Sequence, residues 1–352
     1  MSTMDRVANT AEIDNAMVIK KVLESARKHF FYAQFGQEDS FRQRSGQTVM
    51  WFTRSKLTVA TDTFTSDYPS TLRGNVVTHT AVTANLAMYG NDVTFLEGLE
   101  ITSLVDIPGG VLEEIAYNAG LSIDTILRDK LLAGTTAATT SGITQVFAGG
   151  HSSATIASAS TDYAAYNDII DCATALEEND VPRFVHPGTG LGVYVAIITP
   201  RQKKWLMRDT NFQKFMQYND YKKAWYGELG IIDNVAFVVS SNSTTYTYNT
   251  SVTCEKAIIM GRGAYGISAT PSPSGQAANA NMGTTTFADN TQWTMDMVNK
   301  MFKIVVTKPG DGNGGGAHGD EYAVKTTVAW KAYFAYSMLQ TGFARVYVSY
   351  QG

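Results

Sequence analysis

The chain has 352 residues, 44% of them hydrophobic and 17% charged, with a formal net charge of −4. That length accommodates one large or two medium domains with ample apolar material for a core. The slightly negative balance argues against a dedicated nucleic-acid binder, which carries a basic domain or stripe, and two cysteines exclude a disulfide framework or a four-cysteine metal site.

Few charges beside abundant Thr, Ala, Gly and Asn suit a protein whose surface is largely covered by neighbours. Cys172 and Cys254 read as small apolar residues in a reducing compartment. The opening "MSTMDRVANTAEIDNAMVIKK" lacks a basic region followed by an apolar run, so no signal peptide is expected, and no segment is apolar enough to span a bilayer. A soluble, cytosol-like setting is expected.

Residues 11–35 carry Ile13, Met17, Val18, Lys21, Val22 and Ala26 at helical spacing, then the aromatic cluster His29 to Tyr32. This predicts an N-terminal arm or helix with one apolar stripe. Ser45 to Gly90 reads as two long strands meeting at a Thr/Ser-rich tip, with the turn at Asp67 to Ser70. Arms of about 14 residues would each reach roughly 45 Å. Trp51 and Leu57 fall on one side, Met50 and Phe52 on the other, with Arg54 and Lys56 among them. Without clean alternation, the hairpin is expected to belong to neither core of its own chain.

From Pro108 to Ala133 start and stop signals agree on a long helix. Asp106 is a plausible cap, Pro108 suits the first turn, Glu113 and Glu114 sit near the positive end, Arg128 and Lys130 near the negative end, and Gly134 stops it. Val111, Leu112, Ile115, Ala116, Ala119, Ile123, Ile126, Leu127 and Leu131 form the predicted buried face. Gly134 to Thr161 is Thr/Ala/Ser/Gly-rich and aperiodic, which predicts a surface loop or linker. A mixed α/β region follows: helix at "YAAYNDIIDCATALEEND", strand at "GVYVAIIT", helix at "PRQKKWLMRD", then strands at "NVAFVVS" and "EKAIIMG". After a second polar loop the C-terminal part is strand-rich, through "KMFKIVVTK" and "EYAVKTTVAWKAYFAYSMLQTGFARVYVSY".

Candidate chemistry is sparse. Gly261, Gly263 and Gly266 form a literal G-x-G-x-x-G after a strand, yet a dinucleotide site needs a helix to open there, and Pro271 and Pro273 oppose one. A turn is the favoured reading. Asp311, Asn313, Asp320 and Glu321 are possible oxygen ligands in a glycine-rich loop without EF-hand spacing, read as a flexible tip. "VHPGTGLG", from Val185 to Gly192, lacks the ending of a phosphate loop. His29, His79, His151, His186 and His318 show no metal-binding spacing. The pairs Glu97/Glu100, Glu113/Glu114 and Glu177/Glu178 fit helix-end or solvated positions, and no G-x-S-x-G elbow occurs. No catalytic, cofactor-binding or metal residue is assigned.

Five segments, in order, resemble the major capsid proteins of tailed bacteriophages, in the branch of the N-four-like podoviruses. They are "GQTVMWFTRSKLTVA", "MYGNDVTFLEGLEITSLVDIPGGVLEEIAYNAGLSIDTILRDKLLAG", "VYVAIITPRQKKWLMRDTNFQKFMQY", the pair "GELGIIDNVAFVVSSN" and "AIIMGRGAYGI", and "TVAWKAYFAYSMLQTGFARVYV". The resemblance covers most of the chain from about residue 45. It implies an α+β fold of the Hong Kong 97 type: an N-terminal arm (1–44), an extended loop (45–90), a peripheral domain with a long spine helix (91–161 and 291–352) and a mixed α/β axial domain (162–290). It implies a non-enzymatic shell subunit assembling with itself into pentamers and hexamers that enclose double-stranded DNA. Portal, scaffold and decoration proteins would be its partners, and it would be assembled in the host bacterial cytoplasm as part of a virion, with no membrane. Trp51, Phe52, Arg54, Lys56 and Leu57 are the expected inter-subunit contacts. The alternatives are an encapsulin-like nanocompartment shell, which shares the fold, and a nucleotide-binding enzyme using Gly261–Gly266.

Overall fold

A computed structural model describes residues 30–40, 46–55, 57, 76–103, 107–133, 139–140, 142–217, 225, 227–269, 302–307 and 324–352. In chain order they form β1 (Gln37–Ser40), β2 (Thr48–Arg54), β3 (His79–Asn85), β4 (Ala87–Leu96), α1 (Glu97–Thr102), α2 (Ile107–Leu132), β5 (Thr139–Thr140), β6 (Ile143–Phe147), α3 (Tyr166–Glu178), β7 (Phe184–Val185), β8 (Gly192–Ile198), α4 (Pro200–Leu206), α5 (Thr210–Gln217), β9 (Glu228–Ile232), β10 (Val235–Val239), β11 (Thr245–Tyr248), β12 (Val252–Met260), β13 (Tyr265–Ala269), β14 (Phe302–Thr307), β15 (Lys325–Met338) and β16 (Ala344–Tyr350).

Hydrophobic runs without alternation predict strands covered on both faces, and β8, β10 and the Ala257–Met260 half of β12, central in the nine-stranded sheet, are such runs. Its order is β5-β6-β16-β12-β8-β10-β9, with β11 on β12 and β7 on β8. The β6/β16 and β8/β10 pairs are parallel. Val193, Val195 and Ile197 of β8 join Ile115, Ala119, Ile123, Leu127 and Leu131 of α2 in one buried cluster. Tyr194, Ala196 and Ile198, one residue out of step, join Ile169, Cys172 and Leu176 of α3, Leu206 of α4 and Phe212 of α5 in another. The sheet is therefore a middle layer between α2 and the α3–α5 group. Local chemistry sets its connections. Asp233 and Asn234, at φ 47° and 63°, make the two-residue turn between β9 and β10. Thr199 and Gln202 form a reciprocal capping box that starts α4 at Pro200.

The five-stranded sheet runs β1-β13-β15-β14, with β4 also on β15. Along β15, Val328, Trp330, Ala332 and Phe334 are buried in the cluster that contains α2, while Thr327, Ala329, Lys331 and Tyr333 are part-exposed on the opposite face. One face is packed and one is open, as antiparallel sheets permit.

One expectation is corrected. The stretch expected to be a surface loop from Gly134 to Thr161 contains β6, which pairs with β16 and buries Ile143, Gln145 and Phe147. Its burial alternates on a period of two, and Gln145 is admitted to the interior because its Oε1 accepts from the Tyr248 hydroxyl at 2.8 Å. Each sheet draws strands from distant parts of the chain. β13, within 162–290, lies in the five-stranded sheet, and β16, within 291–352, lies in the nine-stranded one. The long helix agrees with its sequence reading at 107–132, while Asp106, Gly134 and the N-terminal stripe from Ile13 to Ala26 lie outside the described residues.

Candidate inter-subunit surface

β2 and β3 pair in register from Thr48↔Asn85 to Arg54↔His79. Directly opposed residues share a face. The inner face carries Val49 and Trp51, buried with Ala335 of β15 and packed by Ala84, Leu86 and Leu339. This corrects the expectation that the hairpin belongs to no core of its own chain: β2 alternates between buried and exposed, and its base is anchored. The indole of Trp51 rests on Gly266 of β13, where an added Cβ would stand 2.9 Å from Trp51 Cε2. Its Nε1 and the Ser268 hydroxyl are buried without a hydrogen-bond partner among the described residues. Such a donor costs about 1–3 kcal/mol, so the anchor relies on ring packing alone.

The outer face carries Met50 opposite Thr83, Phe52 opposite Ala81, and Arg54 opposite His79. Phe52 is 65% exposed and Met50 49%. Leu57, Met88 and Leu96, and Leu99 and Ile101 on α1, are exposed as well. Burying each such side chain is worth about 1.5–3 kcal/mol. Exposed large apolar side chains of this kind are candidates for an interaction surface. Of the residues expected at the interface, Phe52, Arg54 and Leu57 are exposed, Trp51 is turned inward at 4% exposure, and Lys56 lies outside the described residues. The outward row also includes Met50, Met88, Leu96, Leu99 and Ile101, which sequence reasoning did not assign; the close spacing of apolar residues in "FLEGLEI" was the available signal.

Polar contacts along α2 hold this surface in place. Asn118 Oδ1 accepts from Asn91 Nδ2 of β4 at 3.3 Å and from Trp330 Nε1 of β15 at 2.9 Å. One turn and a half further on, Asp124 is fully buried. Its Oδ1 accepts from the backbone N–H of Phe31 at 2.8 Å and of Tyr32 at 2.7 Å, and its Oδ2 accepts from Asn242 Nδ2 at 3.0 Å. Burial raises its pKa from the usual 3.8 to about 7, against the pull of those N–H donors. Arg128, expected at the helix end as a dipole partner, is instead buried and donates to Asn242 Oδ1 at 2.6 Å. The helix end is met by another cation: Lys256 of β12 donates to the Leu132 carbonyl at 2.9 Å and sits 4.0 Å above the Tyr246 ring. Its burial lowers its pKa to about 8.

The remaining sequence leads resolve as scaffold. Gly261–Gly266 runs from β12 through a turn into β13, so a strand and not a helix follows the glycines; Gly261 abuts Val181 and Pro182 and Gly263 adopts φ 82°. The pyrophosphate-binding geometry is missing from this segment. His186 is buried against Glu228 at 3.0 Å, and His151 meets Asp162 at 3.1 Å. Among the described residues no group of three or more His, Cys, Asp or Glu is placed to hold a metal. Burial pushes both Cys172 and Cys254 up to about 12, which keeps them as thiols. Residues 310–321 lie outside the described residues.

No family model matches the chain, and no curated protein sequence matches it. Solved structures do. The capsid of Ralstonia phage GP4 aligns with a TM-score of 0.61 at 12% identity, over 90% of this chain and 87% of that one. The capsid of the cyanophage P-SCSP1u gives 0.57 at 12% identity, over 90% and 87%. The head structure of Helicobacter pylori bacteriophage KHP40 gives 0.56 at 10% identity, again over 90% and 87%. The likeness is one of fold: a mixed α+β architecture similar to that of phage capsids.

Proposed function

We propose that this chain is the major capsid protein of a tailed bacteriophage, with the Hong Kong 97-type fold and in the N-four-like podovirus branch that its sequence segments resemble. The observation that carries the reading is the fold likeness to phage capsid structures over nine-tenths of the chain. The outward apolar row from Met50 to Ile101 supports it, because a shell subunit needs a surface completed by another copy.

In this reading the subunit catalyses nothing and acts by association. Head-to-tail contacts close into pentamers and hexamers, a heterologous interface that closes by rotation. The 45–90 loop lies across a neighbour, with Met50, Phe52, Arg54 and Leu57 making the contacts while Trp51 fixes the loop's base. The α2 spine and five-stranded sheet form the peripheral part and the nine-stranded sheet the axial part. Many modest contacts sum to a durable shell through multivalency, while each remains weak enough for a misplaced subunit to leave. The shell encloses double-stranded DNA in the virion, and portal, scaffold and decoration proteins are its partners during assembly in the host cytoplasm. Gel filtration and negative-stain electron microscopy of the protein, alone and co-expressed with its neighbouring genes, test this. Rings of five and six or closed shells support it, and a uniform monomer under both conditions refutes it.

A further inference from the structure

The surface of α4 and α5 departs from the charge of the chain as a whole. Residues 200–217 carry Arg201, Lys203, Lys204, Arg208 and Lys214 against a single acid, Asp209, in a protein of net charge −4. That acid is already engaged: its Oδ2 accepts from the Tyr166 N–H at 3.0 Å and its Oδ1 from the Asn211 N–H at 2.9 Å. Arg201 is partly engaged too, 3.7 Å from Glu255. Lys204 and Arg208 have no ion-pair partner among the described residues. Both are exposed, and both stand 4.7 Å from the ring of Trp205, which holds two like charges close together. Tyr163 stacks on that indole at 3.6 Å, and the chain's last residue, Gly352, presses against it. The indole is therefore held in place, and the patch offers fixed positive charge beside the exposed Met207 and Phe215.

We propose that the α4–α5 surface binds the phosphate backbone of duplex DNA, with Lys204 and Arg208 as the principal contacts and Lys214 beside them. Unpaired cations one turn apart on a rigid aromatic support match what phosphate contacts require, and they read no sequence. Phosphate contacts make the binding non-specific and sensitive to salt, and the overall negative charge keeps it weak, a grip that lets DNA slide past. Only the identity of that DNA as the shell's cargo rests on the capsid reading; the patch itself does not.

Fluorescence anisotropy of a short labelled duplex of mixed sequence tests this on the full chain, over about 50–200 mM salt. Each phosphate contact contributes about 0.9 to the slope of log affinity against log salt, so Lys204→Gln/Arg208→Gln is expected to lower that slope by about 1.8. A control with the same charge change elsewhere, Lys130→Gln/Arg262→Gln, is expected to leave the slope near that of the parent. The proposal is overturned if the parent binds no duplex, if the first variant keeps the parent slope, or if the control loses as much. Binding of an oligo-glutamate probe in place of duplex, lost in the same variant, would also overturn it and assign the patch to an acidic polypeptide. Shell formation, followed separately by electron microscopy, distinguishes a failure of this proposal from a failure of the capsid reading.

Discussion

The nine-stranded sheet and the β2–β4/α1 region use similar residues to opposite ends. β8, β10 and the Ala257–Met260 half of β12 are apolar, and α2 on one side and α3–α5 on the other cover them, so Phe237, Ile258 and Ile259 are sealed. β2 is as apolar over its central residues, yet only Val49 and Trp51 find cover, and Met50 and Phe52 face outward. The first region is complete within one chain. The second keeps one apolar face open, and the difference lies in the number of layers the chain supplies, which is why the proposed function assigns that face to a partner.

Substitutions can break or sharpen that contrast, and their expected effects on the folded subunit run from large to negligible. Phe237→Ala, in the sealed layer, is expected to cost about 3–5 kcal/mol in urea denaturation. Gly266→Ala places a Cβ 2.9 Å from the Trp51 indole and should cost about 1–3 kcal/mol, with faster proteolytic cleavage between residues 46 and 90 as the hairpin base loosens. Asp124→Asn probes the buried clamp through pH. The folded carboxyl keeps its proton up to about pH 7, whereas the unfolded one loses it near 3.8, so its stabilising contribution is full below about pH 4 and is lost as pH rises through 7. The melting temperature of the variant, compared with the parent across that window, should lack this slope. Phe52→Asp is expected to leave subunit stability within about 0.5 kcal/mol of the parent while abolishing higher assemblies in gel filtration. A Phe52→Asp protein that unfolds would erase the contrast, because it would place that ring in the subunit's own core.

Much of the architecture was legible because its signals are local. The long helix announced both ends and its buried stripe, and β8, β10 and the Ala257–Met260 half of β12 announced themselves as apolar runs. Other features were hidden because they depend on distant partners. β6 looks like a polar linker until β16, some two hundred residues later, pairs with it and Tyr248 satisfies Gln145. Trp51 reads as a free aromatic on an extended arm until Gly266 clears space for it on β13. Asp124 and Lys256, both buried, sit in sequence contexts that look like an exposed helix face and an ordinary strand charge; only tertiary donors and a helix-end carbonyl explain them. Of the residues the sequence offered for the surface, Phe52, Arg54 and Leu57 are exposed and Trp51 is buried, because β2 alternates between an anchored and an open face.

The central claim is that the outer face of the β2–β3 hairpin is covered by another copy of this chain. Electron cryo-microscopy of particles formed by the expressed protein tests it most directly. The account predicts closed shells in which Met50 and Phe52 pack against a neighbouring subunit. Closed shells in which that face stands open to solvent would contradict it.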